Sequence, residues 1–409
     1  MKRHQKIIIG AALLIALGIR IHAVLEDPTT VLRGDATGYD DMAMNLALGK
    51  GFRYGSGEGE ATASRVPLYP LFLAAIYRTV GHDYRAARMV QALLSTLTVL
   101  WIALWAHTLF GGMSACLAAL IASVYPAFYA YYFGCTALIT ETLYVFLLTL
   151  ALYTFYVYWI RPSWVWGLIS GFFWGLANLT RPISLPLLLV LPFILILLRY
   201  PFRPALRYTA AVWLMAGLAM GSWMLRNYLA FRHPVPVSTS ASVNLYAAFH
   251  PDNWDGIGFD AFREKYFPEE ERLKALGMSE AERADYFLKK GWGFIRDDPA
   301  HALELILRRI LLYLDPRTTL FHKEDKRQVI AWGYLFVLAG AVTGFFLSLK
   351  YRIHRREVLF LILVFGYFVL FHGFMAASER YRFPNEPILI LITAFASSFL
   401  IKWKSKATI

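Results

Sequence analysis

Asp35, Arg65, Glu141, Arg181 and the run Arg380-Tyr381-Arg382 all stand at or near the ends of apolar stretches. Asp35 lies in Arg33-Gly-Asp35-Ala-Thr-Gly-Tyr39-Asp40-Asp41, directly after the first such stretch, and Glu141 closes Ala137-Leu-Ile-Thr-Glu141. Arg181 sits in Asn178-Leu-Thr-Arg181-Pro182, and the third group in Ser378-Glu-Arg380-Tyr381-Arg382-Phe-Pro384; Arg65 and Arg226 are weaker additions. Together these types support one chemistry. A carboxylate accepts a proton from a hydroxyl, while guanidiniums grip a departing phosphate through paired hydrogen bonds. A phosphate monoester, with a second pKa of about 6, leaves without a dedicated general acid. One carboxylate base and a cationic cradle therefore suffice, where glycoside hydrolysis needs two carboxylates at the bond. Each residue also has an ordinary reading: Asp35 as a residue preceding a helix, Glu141 as a headgroup-zone acid, and the arginines as interfacial anchors whose tips reach water.

These side chains need a scaffold, and the composition names it. Of 409 residues, 58% are hydrophobic and 17% charged, against a charged share of roughly 25% in soluble domains. Apolar runs near the length of about 20 residues that crosses a bilayer recur throughout. The expectation is an all-α polytopic membrane protein. The net charge of +13 lies in short loops between apolar runs, which is a topology signal rather than a nucleic-acid footprint. Cys116 and Cys135, if joined by one helix, would sit on opposite membrane faces about 28 Å apart and could not pair. Met1–Lys6 followed by an apolar run resembles a signal peptide, but without an obvious small-residue cleavage site it reads as an uncleaved first span.

Ten spans are expected, near 7–25, 86–110, 113–133, 137–159, 163–180, 182–199, 208–229, 329–349, 357–377 and 385–402. Every basic turn then falls on one side, placing both termini in the cytoplasm and the candidate residues at the exterior or periplasmic face of the inner membrane. Residues 67–80 and 299–314 are too short to span and are expected in the outer interface. Leu303, Ile306, Leu307, Ile310 and Leu314 share the apolar face of the second, which opens with the cap Asp298-Pro299. Thr37-x-x-Asp40 predicts a capping box for a surface helix over 38–49, and Ser279-x-x-Glu282 predicts another. Residues 51–65 form a Gly-rich loop whose 55–59 stretch suggests flexibility. The chain divides into an N-terminal transmembrane module (1–229, first outer loop 26–85), a loop region with amphipathic helices (230–316, carrying Trp254 and Trp292) and C-terminal membrane helices (317–409). Tyr125 to Tyr132 reads as an interfacial aromatic belt. His250, His322 and His372 show no ligand spacing and read as packing or capping residues. Asn178-Leu-Thr180 is an incidental glycosylation pattern.

Several segments carry a family resemblance: Gly34-Asp35-x4-Asp40-x4-Asn45-x3-Gly49-x-Gly51-Phe52, Pro67-Leu-Tyr69-Pro70, Leu138-x2-Glu141 and Gly175-Leu-Ala-x-Leu-Thr-Arg181-Pro182. Arg226-Asn227-Tyr228 leading to Pro234-Val-Pro-Val-Ser238, and Arg380-Tyr381-Arg382-x-Pro384-x2-Pro387, add to it. The sequence resembles the polytopic glycosyltransferases that use polyprenyl-phosphate sugars, among them protein O-mannosyltransferases and the lipid A aminoarabinose transferase. The resemblance implies a GT-C-type fold with an outer-surface cavity and inverting transfer to a glycan, lipid or protein acceptor. It places Asp35 as the catalytic aspartate, Glu141 as the second acid, and Arg380 and Tyr381 near the donor phosphate; by residue type and position Arg181, Arg382 and Arg65 are expected to complete the cradle. Relatives differ in metal use; no ligand cluster is evident, and a divalent metal stays open. Competing classes are a transporter or lipid-linked sugar flippase, which favours repeats and mid-depth charges, and a non-catalytic assembly partner indifferent to Asp35.

Overall fold

The structure, a computed structural model, describes residues 1–27, 32–55, 61–130, 132–253, 259–316 and 325–407. Among these residues there are helices and turns but no strand, only one isolated bridge between Arg53 and Ala61. In chain order the helices are α1 (Arg3–Leu25), α2 (Asp35–Ala47), α3 (Leu68–Val80), α4 (Tyr84–Phe110), α5 (Gly112–Val124) and α6 (Glu141–Ile160). Then come α7 (Trp164–Thr180), α8 (Leu185–Leu197), α9 (Phe202–Phe231), α10 (Ser240–Phe249), α11 (Phe259–Ala275), α12 (Glu280–Asp297) and α13 (Pro299–Leu314). The last four are α14 (Asp325–Tyr351), α15 (Arg355–Phe374), the short α16 (Glu379–Arg382) and α17 (Glu386–Ala407).

Among the described residues seven segments are long and apolar enough to cross a membrane: α1, α4, α6, α9, α14, α15 and the α16–α17 unit. Of the other three expected spans, α7 has 17 residues and α5 and α8 have 13 each. The span expected over 113–133 stops at Val124, and a 3-10 turn at Pro126–Tyr129 follows. Cys116 and Cys135 are thus not on one helix, and both are buried free thiols. The early stop is covered by Arg20 of α1, which donates to Ser123 O at 3.0 Å and Ala122 O at 3.3 Å, meeting carbonyls that a helix end leaves unpaired.

Lipid gives helices no hydrophobic reason to associate, so close packing of small residues does that work. Gly167, Gly171 and Gly175 form one stripe of α7 against α9; a Cβ on Gly171 would stand 2.6 Å from Val212 O, and one on Gly175 2.5 Å from Ala219 Cβ. Gly340 and Gly344 of α14 meet Thr393 and Ile392 of α17 in the same way. The upper end of this bundle, where α1 finishes, carries α2, α3 and the layer α10–α13.

Two expectations change here, at the start of α2 and over Tyr125 to Tyr132. The helix after Asp35 begins at Asp35 itself, since Gly34 at φ +60 turns the chain into it; Thr37 lies inside it and Asp40 is not its box partner. Tyr39, Met42 and Ala43 form its buried apolar stripe. In α13 the Asp298 cap stands, donated to by His301 N at 2.9 Å, but the protein-facing side is Ala302, Leu305, Arg309 and Tyr313. Leu303, Leu307 and Leu311 face outward. Arg309 decides this rotation, donating to Gly373 O and Phe374 O at 3.1 Å and also to Ala248 O. Tyr125 and Phe128 are core residues rather than a belt, with Tyr132 exposed. Ser279 and Glu282 form the expected capping box of α12. Residues 56–60, Tyr131, Trp254 and His322 lie outside the described residues.

Candidate active site

Asp35 is the first residue of α2, where the helix dipole favours a carboxylate. The helix is fixed one turn later by Asp40, whose Oδ1 accepts from Tyr77 Oη and lies against His82 Nε2, both at 2.8 Å, while Oδ2 accepts from Tyr84 Oη at 2.9 Å. Three donors from α3 and the head of α4 thereby set the register of α2. Arg65 arrives from a loop held on two sides. Arg226 donates to Thr62 O at 2.8 Å, and Glu280 Oε1 accepts from Ala63 N at 2.9 Å and Thr239 Oγ1 at 2.7 Å. From this loop Arg65 donates to Asp35 Oδ1 at 2.5 Å, with its guanidinium over the Tyr39 ring.

Glu141 opens α6 and is fully enclosed. It accepts from Arg181, from Arg380 Nε and from Thr140 Oγ1, the last at 3.2 Å. Arg380 joins the two acids, its Nη1 reaching Asp35 Oδ2 at 2.7 Å. Tyr381 lies beneath Arg181, ring centroid 5.2 Å from the guanidinium carbon. Behind it His372 stacks at 5.4 Å, with Tyr313 beyond at 5.3 Å. Asp35, Arg65, Glu141, Arg181, Arg380 and Tyr381, separated by up to 346 positions in sequence, thus meet at one place.

Arg382 does not join them. It is fully buried, paired with Glu386 at 3.0 Å, donates to Tyr313 O at 3.2 Å and lies over the Tyr334 ring. Two residues from Arg380 on a single helical turn, it points to the other side and is a packing arginine. Sequence reasoning also missed the roles of Tyr39, Thr140 and the Asp40 clamp, while His372 packs as expected. Only the i,i+4 spacing of Arg382 and Glu386 signalled in advance that this arginine had a private partner.

Exposure separates the two acids. The Asp35 side chain keeps 28% of its surface, whereas Glu141 keeps none. A hydroxyl can reach Asp35, and Glu141 can only hold arginines. Burial works against ionisation of Asp35, but the Arg65 and Arg380 guanidiniums outweigh it and hold the carboxyl down at about 2. Three guanidiniums against two carboxylates leave one uncompensated positive charge, a site prepared for an anion. Among the described residues no group of three or more His, Cys, Asp or Glu converges. Both acids are engaged by arginines, a donor set that suits a phosphate rather than a divalent cation.

Comparison with known folds identifies the frame around this cluster. The archaeal oligosaccharyltransferase AglB from Archaeoglobus fulgidus, in complex with an inhibitory peptide and a dolichol-phosphate, superposes with a TM-score of 0.61 at 13% identity over 98% of this chain and 51% of that one. An Archaeoglobus fulgidus oligosaccharyltransferase in complex with Zn and sulfate gives 0.57 at 16% identity, covering 97% and 49%. The chain has the GT-C fold. A sequence profile of the dolichyl-phosphate-mannose-protein mannosyltransferase family matches residues 64–232, the part of this chain that carries Arg65, Glu141 and Arg181. No curated protein sequence matches it. The chain spans about half the length of the solved structures it matches, and it is an integral, multi-pass membrane protein.

Proposed function

We propose that this protein is a glycosyltransferase that moves a sugar from a polyprenyl-phosphate donor, undecaprenyl or dolichyl, to a hydroxyl on a cell-envelope glycan, lipid or protein. The observation that carries the reading is the Asp35–Arg380–Glu141 bridge with Arg65 and Arg181 beside it. Of the two structural neighbours, one is in complex with a dolichol-phosphate and the other with Zn and sulfate; the two anions are of the kind this excess positive charge suits.

The sequence of events follows from the contacts. The donor phosphate takes Arg380 and Arg181, and Tyr381 lies beside it as a hydrogen-bonding phenol. As Arg380 turns toward phosphate, Asp35 loses one of its two cationic partners and becomes a stronger base. It then takes the acceptor hydroxyl proton as the acceptor oxygen bonds to the sugar carbon and the carbon–phosphate oxygen bond breaks. The phosphate leaves with the electron pair, and single displacement inverts the sugar carbon. Glu141, sealed in, keeps Arg181 and Arg380 aimed. No step uses a metal, so transfer persists after chelation.

In this reading, which the basic turns support, the cluster lies on the exterior or periplasmic side of the inner membrane and both termini are cytoplasmic. A transporter path would put charges along the membrane depth. Here the buried charged residues Arg20, Asp27, Asp40, Arg88, Glu141, Arg309, Arg382 and Glu386 all lie toward the upper end.

The test compares purified wild type with Asp35→Asn in lipid, supplied with radiolabelled polyprenyl-phosphate sugars and an envelope acceptor extract. Transfer by wild type and a loss of about 10²–10⁴-fold in a folded variant is expected. Full activity in Asp35→Asn removes the base assignment. Absence of transfer by wild type across the donor panel removes the enzyme reading.

A further inference from the structure

The strongest feature outside this cluster lies at the opposite end of the bundle. A cavity of about 360 Å³ opens where α6 ends and α7 and α9 begin, lined by Tyr158, Ser163, Trp164, Arg203 and Arg207 among others. Tyr158 is 17 residues along α6 from Glu141, about 26 Å at the helical rise. The two sites therefore face opposite membrane surfaces.

The lining is cationic without an internal answer. Arg203 and Arg207 are four residues apart on the first turns of α9 and so share a face. Between Glu141 and Asp252 the sequence contains no acidic residue at all, and among the described residues no carboxylate pairs with either arginine. Ser163 adds a hydroxyl. Its Oγ accepts from Trp166 N at 3.3 Å, which leaves its hydrogen free to donate outward. Around this polar floor the rim is apolar and exposed: Trp164, Val165, Phe202 and Leu206 all present side chains outward. A basic floor at the membrane surface bordered by exposed apolar side chains matches a molecule with a phosphate head and hydrocarbon tails.

We propose that this cavity binds the headgroup of an acidic phospholipid in the leaflet opposite the catalytic cluster, which the basic turns mark as the cytoplasmic one. Arg203 and Arg207 hold the phosphate, Ser163 donates to it, and Trp164 and Phe202 border the acyl chains. Anionic lipids attract basic residues at this depth, and pockets of this composition between membrane helices recognise their headgroups. Bound there, the lipid joins the start of α9 to the α6–α7 turn and stabilises the helix pair whose upper ends carry Glu141 and Arg181.

The experiment uses the full-length protein in detergent and reads lipid retention by native mass spectrometry alongside thermal stability. Phosphatidylglycerol, phosphatidylcholine and inorganic phosphate are added separately to wild type and to Arg203→Gln/Arg207→Gln. Phosphatidylglycerol is expected to stay bound to wild type and raise its Tm, with little effect from phosphatidylcholine. In the double variant its affinity should fall about 30-fold, roughly fivefold for each arginine. Equal retention of phosphatidylglycerol by the double variant overturns the site. Equal protection by inorganic phosphate at the same concentration overturns the lipid as its occupant. Neither readout depends on sugar transfer, so this proposal and the enzyme reading fail separately.

Discussion

Two arginines two positions apart make the sharpest residue-scale contrast. Arg380 bridges two carboxylates at a partly open site, whereas Arg382 is sealed against Glu386. Arg380→Lys keeps the charge but not the fork that reaches both acids at once. Its transfer rate is expected to fall at least tenfold with the Tm nearly unchanged. Arg382→Ala leaves Glu386 as a buried charge without its partner, which costs on the order of 3–5 kcal/mol. That variant should lose folded protein, and the two readouts together separate chemistry from packing. Asp35 has its own signature. Its folded value of about 2 lies below the ordinary 3.8, so the folded state favours the ionised form. The stabilisation is complete above about pH 4 and disappears as pH falls through 2. The Tm gap between wild type and Asp35→Asn should therefore narrow over that range; a gap that widens toward low pH contradicts the ion pairs. Asp35, Glu141, Arg181 and Arg380 were legible because each bordered an apolar run on the side opposite the basic turns. The fate of Arg382 was not, because a hydropathy pattern does not tell which way a residue points on a helix of one turn.

At the scale of elements, helix existence was easy to read and helix orientation was not. Residues 68–80 and 299–314 form helices close to where the sequence placed them, and Leu303 and Leu307 of the expected α13 apolar face point away from the protein. In water the leucine stripe turns inward. Here Arg309 finds three carbonyls at the ends of α10 and α15, and the leucines lose little by facing outward in an apolar surround. The capping pattern at Thr37 failed for a related reason, since Asp40 serves Tyr77, His82 and Tyr84 instead. The glycine stripe of α7 is also a sequence pattern, with spacing of four over Gly167, Gly171 and Gly175, but only its partner on α9 gives it meaning. A side chain at Gly171 would overlap the α9 backbone, whereas a Cβ on Gly217 of α9 meets nothing within 4 Å. Gly171→Leu is expected to lower stability by about 1–3 kcal/mol or more, while Gly217→Leu is tolerated. Thermal unfolding of the two in the same detergent decides it, and equal Tm values would refute the close-packed α7–α9 contact.

Across the whole molecule, charge is sorted along the membrane normal. The buried ionised residues gather at the upper end, and unshared arginines such as Arg203 and Arg207 gather at the lower. A carboxylate–arginine cluster needs an enclosed setting to hold its geometry, while loops rich in free Arg and Lys remain where they are made because translocating them is unfavourable. The orientation we propose, with the cluster outside and the arginines inside, satisfies both demands. Two exposed positions test it. Glu271 lies in the upper layer with 68% of its side chain exposed, and Arg356 is exposed at the lower end of α15. Cys116 and Cys135 are buried, so background labelling is low. In intact cells stripped to the inner membrane, an impermeant maleimide should label Glu271→Cys within minutes and reach Arg356→Cys only after permeabilisation. The reverse pattern would turn the cluster toward the cytoplasm, where a nucleotide-linked donor becomes the natural substrate and the lipid-linked donor loses its rationale.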